Sequence, residues 1–289
     1  MPTLTLFGIP KPFTGHIGVI QRNAIRSWTV LRPQAEIILF GDELGTKEFA
    51  DQLGVRHVAN IAKSEQGTPL LSDVFHQARQ LASQDLLGYV NSDILLLDDF
   101  QAALEKVTNN ILEDFLVIGR RINTDIVEEL DFEAPGWREE VRLRTRTAGS
   151  LAPRVCKDYF VFPKHLYQDL PAFAVGRANW DNWMVYHAHQ LEIPVVDITA
   201  VTTVIHQNHE YGHLGKGMAE AYMGSEAKAN RDLAGGTRLV KGSAANWVLT
   251  EAGIRRSRAP SAWWPFLADL PRFTGLLARL FRLTRTKYE

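Results

Sequence analysis

Leu86-Leu87-Gly88-Tyr89-Val90-Asn91-Ser92-Asp93-Ile94-Leu95-Leu96-Leu97 is the stretch that decides the fold class. Five residues of strand length, almost all apolar, stop abruptly at three polar ones and resume as a second apolar run. An unbroken apolar run bounded by turn residues reads as a strand covered on both faces, the habit of parallel sheets in α/β proteins. A carboxylate placed where such a strand meets solvent is where an α/β enzyme holds a metal or a phosphate partner.

Working outward from this strand, the preceding chain alternates in period. Thr3-Leu4-Thr5-Leu6-Phe7 alternates as a strand and ends in the loop Gly8-Ile9-Pro10-Lys11-Pro12. Ile17, Ile20, Ala24, Trp28 and Leu31 recur at helical spacing, and Pro33 stops that helix. Glu36-Ile37-Ile38-Leu39-Phe40 is a buried strand ending at Gly41-Asp42, and a short helix follows over Thr46 to Leu53 with Gly54 as its stop. Val55 to Ala59 makes a third strand. Thr68-Pro69 predicts a helix start, Thr as N-cap and Pro at the first helical position, with Leu71, Val74, Phe75, Ala78 and Ala82 as its apolar stripe. Residues 1–97 therefore alternate strand and helix. The predicted class is α/β, with a mixed, mostly parallel central sheet and helices on both faces. Ligands of such sheets sit at the carboxyl ends of the strands. Three loops there carry chemistry: Ile9 to Phe13, Gly41-Asp42 and Asn91-Ser92-Asp93.

The second half is less regular. A helix is predicted over Asp99 to Val107, a strand over Phe115 to Gly119 leading into Arg120-Arg121, and a strand over Asp158 to Pro163. Residues 123–150 are polar and read either as a helix-containing excursion or as a mobile loop. Trp180, Trp183, Met184, His187, Ala188 and Leu191 give a helical stripe. Pro194 to Val204 reads as one strand running into Ile205-His206-Gln207-Asn208-His209. The expected organisation is one catalytic domain over residues 1–250, with a nucleotide-binding half (1–97) and an acceptor half (98–250), and a basic tail over 255–289.

Composition narrows the function classes. A formal net charge of −1 gives no global field for nucleic acid. The single cysteine, Cys156, forms no internal disulfide, which fits a reducing compartment. Met1 to Phe7 passes into a strand-like run without the basic start of a secretory leader, so a cytoplasmic location is expected. No apolar stretch reaches the ~18–20 residues that span a bilayer. From Arg255 to Glu289 there are eight basic and two acidic residues. After Pro271, Phe273, Leu276, Leu277, Leu280 and Phe281 share one helical face and Arg272, Arg279, Arg282 and Arg285 the other. Such a helix suits an anionic membrane surface or a partner groove, or packs on its own domain.

Each candidate site residue carries two readings. Asp93, beside Ser92, is a ligand for Mg2+ or Mn2+ bridging a diphosphate, or a turn-forming Asp that caps local backbone. His206 and His209 follow a strand at a spacing that offers one or both to the same metal, or they only hydrogen-bond in a polar loop. Asp181, in the first turn of the Trp180 helix, is a general base at a cleft wall or an acidic residue favoured at a helix N-terminus. Asp158 is a second candidate base. Arg120 and Arg121 leave a strand together, and their forked donors match phosphate. Trp180 and Trp183 offer a sugar-stacking face or belong to the core.

Taken together, Asn91-Ser92-Asp93, the strand Asp158 to Pro163, the Trp180-Asp181-Asn182-Trp183 helix and the segment Ile205 to His209 resemble a GT-A-type glycosyltransferase, over about residues 3–210. In that family a Rossmann-like nucleotide-binding half ends in a short D-x-D motif. Here Asn91 replaces the first Asp. The resemblance implies that Ile9, Lys11 and the rest of the Ile9–Phe13 loop, with Asp42, hold the nucleoside. It implies that Asp93 binds metal and diphosphate, completed by His206 or His209, and that Asp181 acts as base if the reaction inverts the anomeric centre. The implied partners are a nucleotide-sugar donor and a glycan or lipid-linked acceptor, with the tail bringing the enzyme to the inner membrane face. Two other classes compete. A nucleotidyltransferase would need a glycine-rich phosphate loop after the first strand, where this chain has one glycine and two prolines. A non-catalytic sugar-binding module with a relict site would account for the missing first Asp.

Overall fold

Short apolar runs such as Leu4–Gly8, Glu36–Phe40, Leu86–Val90 and Leu116–Ile118 become the inner strands of one nine-stranded sheet, where they are buried on both sides, while the edge strands Arg56–Val58 and Gly253–Arg256 stay partly exposed. The structure, a computed structural model, describes residues 3–111, 114–209, 218–235 and 245–258. Its first half runs β1 (Leu4–Gly8), α1 (Gly15–Thr29), β2 (Glu36–Phe40), α2 (Thr46–Leu53), β3 (Arg56–Val58), α3 (Leu71–Leu81) and β4 (Leu86–Val90). The second half runs β5 (Ile94–Leu95), α4 (Asp98–Asn110), β6 (Leu116–Ile118), β7 (Ile122–Thr124), α5 (Trp137–Ala148), β8 (Ser150–Leu151), β9 (Tyr159–Pro163) and α6 (Trp180–Gln190). It continues through β10 (Val195–Asp197), a 3-10 turn over Thr199–Val201, β11 (Ile205–Gln207), α7 (Met218–Met223), α8 (Ser225–Leu233), β12 (Trp247–Thr250) and β13 (Gly253–Arg256).

The main sheet has the order β13-β12-β10-β6-β9-β4-β1-β2-β3. β1, β2, β3 and β4 are parallel to their neighbours within this group, as are β6, β10 and β12. β9 runs against both β4 and β6, so those two strands point the same way. The α/β class with a mostly parallel mixed sheet is thus the observed one. The carboxyl ends of β1, β2, β4, β6 and β10 all open on one edge. A smaller sheet, β5-β11-β7-β8, stands beside that edge.

Alternation along each strand splits the core in two. Phe7, Ile38, Phe40 and Tyr89 face α3 and α6 in one cluster, while Leu4, Leu6, Ile37 and Leu39 face α1 and α2 in the other. Helices therefore cover both faces. A third cluster of Leu95, Leu97, Ile126, Trp137, Val141 and Ile205 lies under the small sheet and α5. Trp180 is core, edge-on to Tyr89 at 5.2 Å, and Trp183 stacks on His187 at 4.5 Å, so the two tryptophans serve packing.

Several boundaries differ from the sequence expectation: β3, β6 and β9 are shorter by one or two residues, and α4 runs on to Asn110. α1 ends at Thr29, ahead of Pro33. The helix expected at Thr68-Pro69 begins at Leu71, because Pro69 and Leu70 form extended bridges with Lys63 and Ala174, and the Thr68 hydroxyl is donated to Glu226 at 2.8 Å rather than to a helix end. The single strand expected over Pro194 to Val204 breaks at the 3-10 turn, where Asp197 accepts the Thr199 amide at 2.8 Å. The chain then leaves the main sheet and re-enters as β11 of the small one. α4 starts at Asp98, one residue early. Residues 123–150 resolve in favour of the helix-containing reading. α5 is tied down by Arg142 to Asp99 at 2.6 Å and Arg138 to Asp98 at 2.8 Å. Residues 259–289, with the whole of the expected tail helix and all of the tail but residues 255–258, lie outside the described residues. Among the described residues no helix is long and apolar enough to cross a membrane.

Candidate functional site

The turn after β4 is fixed from three sides before any ligand is considered. The Asn91 amide donates to the Asp158 carbonyl at 2.8 Å, and the Ile94 amide closes the turn on the Asn91 carbonyl at 3.0 Å. From α1, the fully buried Trp28 donates its indole N–H to the Ile94 carbonyl at 2.8 Å, and Ser27 Oγ accepts the Leu96 amide at 3.0 Å. Beneath it, Gly8 leaves no room: a Cβ there would stand 2.6 Å from the Val90 carbonyl oxygen. The turn therefore presents Asp93 in one orientation at the carboxyl edge of the sheet.

The small sheet brings the histidines to it. β11 pairs antiparallel with β5 in the register His206 to Ile94, which sets His206 one position from Asp93. Buried Gln207 locks the register, donating from its side chain to the carbonyls of Ile20 (2.7 Å) and Asp93 (3.3 Å) while accepting from Asn23 (3.0 Å). His209 then curls back, its Nε2 3.1 Å from Asp93 Oδ2, and His206 Nε2 lies 3.8 Å from the same oxygen. Asn208 anchors this segment, its side chain donating to Asp125 at 2.8 Å. One ligand atom from each of Asp93, His206 and His209 falls within 4.8 Å of the others.

The residues fit a divalent cation on their own chemistry. Asp93 Oδ1 and His206 Nδ1 are buried without a hydrogen-bond partner among the described residues, and so is Ser92 Oγ. Unpaired buried polar atoms in a native fold call for an explanation, an ion among them. One carboxylate with two imidazoles suits a divalent first-row transition ion; of Mn2+ and Mg2+, Mn2+ binds such nitrogen ligands more strongly, while Mg2+ takes oxygen. Burial would push the Asp93 carboxyl up, but the His209 hydrogen bond and the charges of His206 and Lys11 hold it well below the usual carboxylate range. Burial lowers the pKa of His206, with Asp93 partly opposing, which favours the neutral imidazole that a metal requires.

A second charged layer adjoins the first. Arg121 pairs with Asp158 through a short hydrogen bond, and Asn91 Nδ2 donates to the same Asp158 oxygen at 3.0 Å. Arg121 Nε donates to Asn123 at 3.0 Å. Burial disfavours the Arg121 cation, but Asp158 and Asp93 more than compensate. Asp158 is thus engaged as a brace between Arg121 and the motif residue Asn91. Lys11 follows β1, its backbone clamped in both directions by Gln21 (2.6 and 2.8 Å), and its ammonium lies within electrostatic reach of Asp93. Burial lowers the Lys11 pKa.

Asp181 stands in the first turn of α6. Burial raises its carboxyl pKa, with Lys157 and the Asn182 amide opposing. Lys157 is itself buried and donates to Asn182 at 3.2 Å. Among the remaining candidates, Ile9 packs on the core beside Gly41, whereas Asp42 is exposed and paired with Lys63 at 2.6 Å, at the carboxyl end of β2. Arg120 turns away from Asp93 and donates to the Ala152 carbonyl at 2.7 Å. The structure thus gathers Asp93, His206, His209, Lys11, Arg121 and Asp158, sets Asp181 next to this layer, and leaves Asp42 and Arg120 apart. Lys157 and Gln207 escape sequence reasoning. Gln207 carried one signal, its place between the two histidines, and Lys157 only its place beside Asp158.

The chain matches no protein-family model, and no curated protein matches it. It is similar in structure to glucosyl-3-phosphoglycerate synthase from Mycobacterium tuberculosis, solved with Mg2+ and uridine diphosphate, at 12% identity and a TM-score of 0.46, covering 83% of this chain and 82% of that one. It is also similar to 4-diphosphocytidyl-2C-methyl-D-erythritol synthase from Anaerococcus prevotii, at 12% identity and a TM-score of 0.40, covering 68% and 87%. S. aureus TarS 1-349 aligns at 10% identity and a TM-score of 0.33, over 46% of this chain and 40% of that one.

Proposed function

We propose that the protein transfers a sugar from a nucleoside diphosphate sugar to an acceptor hydroxyl, assisted by Mn2+ or Mg2+. The observation that carries this reading is the convergence of Asp93, His206 and His209 at the carboxyl end of β4, flanked by Lys11 and Arg121. A bare metal centre would not need the two cations. A leaving diphosphate does, because negative charge grows on it as the glycosidic bond breaks. Asp93, His206 and His209 would hold the ion, whose positive charge would offset that of the departing diphosphate.

The chain's own groups divide the remaining work. Lys11 and Arg121 bind phosphate oxygens, Arg121 held in orientation by Asp158 and Asn123. Ile9 and Gly41-Asp42, at the ends of the adjacent strands β1 and β2, form the crevice for the nucleoside. Asp181 takes the acceptor proton as the new bond to the sugar carbon forms and the bond to the diphosphate breaks. A carboxylate with a pKa raised by burial is the better base for this step near neutral pH. The acceptor is assigned to a surface polysaccharide or glycolipid, and the location to the inner membrane face, on the basic amphipathic sequence of the tail.

Calorimetric titration of UDP, GDP and CDP, with and without Mn2+, tests the reading on wild type and Asp93→Ala. Metal-dependent binding of one nucleotide, lost in the variant, is the expected result. No binding of any of the three to folded wild-type protein would overturn it.

A further inference from the structure

Lys157 and Asp158 are consecutive residues that reach different halves of the site. Asp158 belongs to the donor side: its carboxylate accepts from Asn91 Nδ2 at 3.0 Å and pairs with Arg121, and its carbonyl accepts the Asn91 amide at 2.8 Å. Lys157 reaches α6 instead, where its ammonium donates to Asn182 Oδ1 at 3.2 Å, one residue from Asp181. These two residues therefore connect the Asn91-Ser92-Asp93 turn to the first turn of α6. That first turn has no side-chain cap of its own, since Asn179 at its start makes no capping bond.

Burial makes this lysine costly unless a carboxylate compensates it, and only 6% of Lys157 is exposed. Burial lowers its pKa, and Asp181, then the half-buried Cys156 and Asp158, oppose that fall. Arg120, Arg154 and Asp197 meet its other flank across a water-sized space, where Asp197 already accepts the Thr199 amide at 2.8 Å. Asp158 is engaged by Arg121 at hydrogen-bond distance. Asp181 makes no ion pair within 4.0 Å among the described residues, so it is the carboxylate most open to the influence of Lys157. The dependence runs both ways. Burial raises the Asp181 pKa and Asp158 adds to the rise, while Lys157 is the largest opposing influence, ahead of the Asn182 amide. A carboxyl group that stays protonated at neutral pH takes no proton from an acceptor.

We infer that Lys157 is the positioning residue of Asp181: its buried ammonium holds the first turn of α6 through Asn182 and stands as the counter-charge of the Asp181 carboxylate. The pairing stands on its own geometry; its service to sugar transfer rests on the reading of Asp181 as the base. Lys157 contacts neither donor nor acceptor in this role. It favours the ionised form of Asp181 until the acceptor hydroxyl gives up its proton. Because Asp158 is the next residue, Lys157 also ties the place of the base to the place of the diphosphate. Removal of the ammonium leaves burial and Asp158 acting on Asp181, so the carboxylate then forms only at higher pH.

Carboxylate NMR of the full chain, isotope-labelled at aspartate, tests this; the Asp181 resonance is the one absent from Asp181→Asn. Lys157→Gln keeps a donor for Asn182 and removes the charge, and the Asp181 titration midpoint should rise by about one pH unit or more. An unchanged or lowered midpoint in folded Lys157→Gln overturns the inference. The same coupling is read from its other side without any change at Lys157. In Asp181→Asn the Lys157 midpoint, followed in isotope-labelled lysine, should fall, and a Lys157 midpoint indifferent to Asp181→Asn overturns the inference as well. A lysine that only packs would move the thermal midpoint in Lys157→Gln and neither titration. Calorimetric titration of UDP plus Mn2+ into wild type runs in parallel. Both midpoints shifted, with no UDP binding, keep the pair and remove the transfer reading. UDP bound, with neither midpoint shifted, keeps the donor site and removes the pair.

Discussion

His209 Nε2 lies 3.1 Å from Asp93 Oδ2 although 116 positions separate the two residues. The contact exists because β11 pairs with β5, the two-residue strand directly after Asp93. His206 and His209 reach the same carboxylate oxygen from one short segment, His206 from the strand and His209 from the turn beyond it. If this cluster holds a metal, His206→Ala and His209→Ala should each weaken Mn2+ binding by more than about tenfold. Electron paramagnetic resonance of free Mn2+ reads this directly. Unchanged affinity in both variants would show that the imidazoles serve only Asp93.

Asp181 should set the acid limb of the pH profile. A base works when ionised, and burial raises the Asp181 pKa, so transfer should decline as pH falls through a value above the ordinary carboxylate range. Asp181→Asn should lower kcat by about 10²–10⁴-fold and abolish that limb, with UDP affinity retained. A pH profile identical in the variant would remove the assigned role.

Glu226 secures α8 to the body of the domain. Its carboxylate accepts from Thr68 at 2.8 Å and from Ser64, and pairs with Arg177 at 2.7 Å. Burial alone would raise its pKa, but these partners lower it on balance. A depressed folded-state pKa means stability that is present above the unfolded value and lost as pH falls through the folded one. Glu226→Ala leaves a partly buried Arg177 with only the Thr68 hydroxyl as partner and should cost about 1–3 kcal/mol. Hydrogen exchange in α8 should rise in the variant, and in wild type at acid pH, before exchange in β4. Equal protection in wild type and variant would contradict this.

Gly8→Ala should damage both fold and site. The added Cβ would meet the Val90 carbonyl oxygen at 2.6 Å and Ser92 Oγ at 3.2 Å, and backbone on the next strand cannot rotate away. Overpacking of this kind costs about 1–3 kcal/mol. Because Val90 leads directly into Asn91-Ser92-Asp93, Mn2+ binding should weaken along with the thermal midpoint. A variant as stable as wild type would show that β1 and β4 can part without loss.

The sequence determined the layers of this protein and the identity of its central carboxylate. Apolar runs such as Ile37 to Phe40 and Leu86 to Val90 have no soluble alternative to burial on both faces, so strand, helix and sheet type follow from local pattern. The interruption at Asn91-Ser92-Asp93 marked the site for the same reason, since polar residues there must face an edge. Boundaries set by distant partners were not legible. Thr68 looks like a helix cap until Glu226 claims its hydroxyl, and Pro194 to Val204 looks continuous until Thr199 and Asp197 fold the chain out of the sheet. Only the tertiary structure decided which charges meet. Pairing of β5 with β11 put two histidines on Asp93, while the end of β6 sent Arg121 toward Asp158 and Arg120 toward the Ala152 carbonyl. Adjacent residues leaving a strand point to opposite sides, and what waits on each side is supplied by chain far away in sequence.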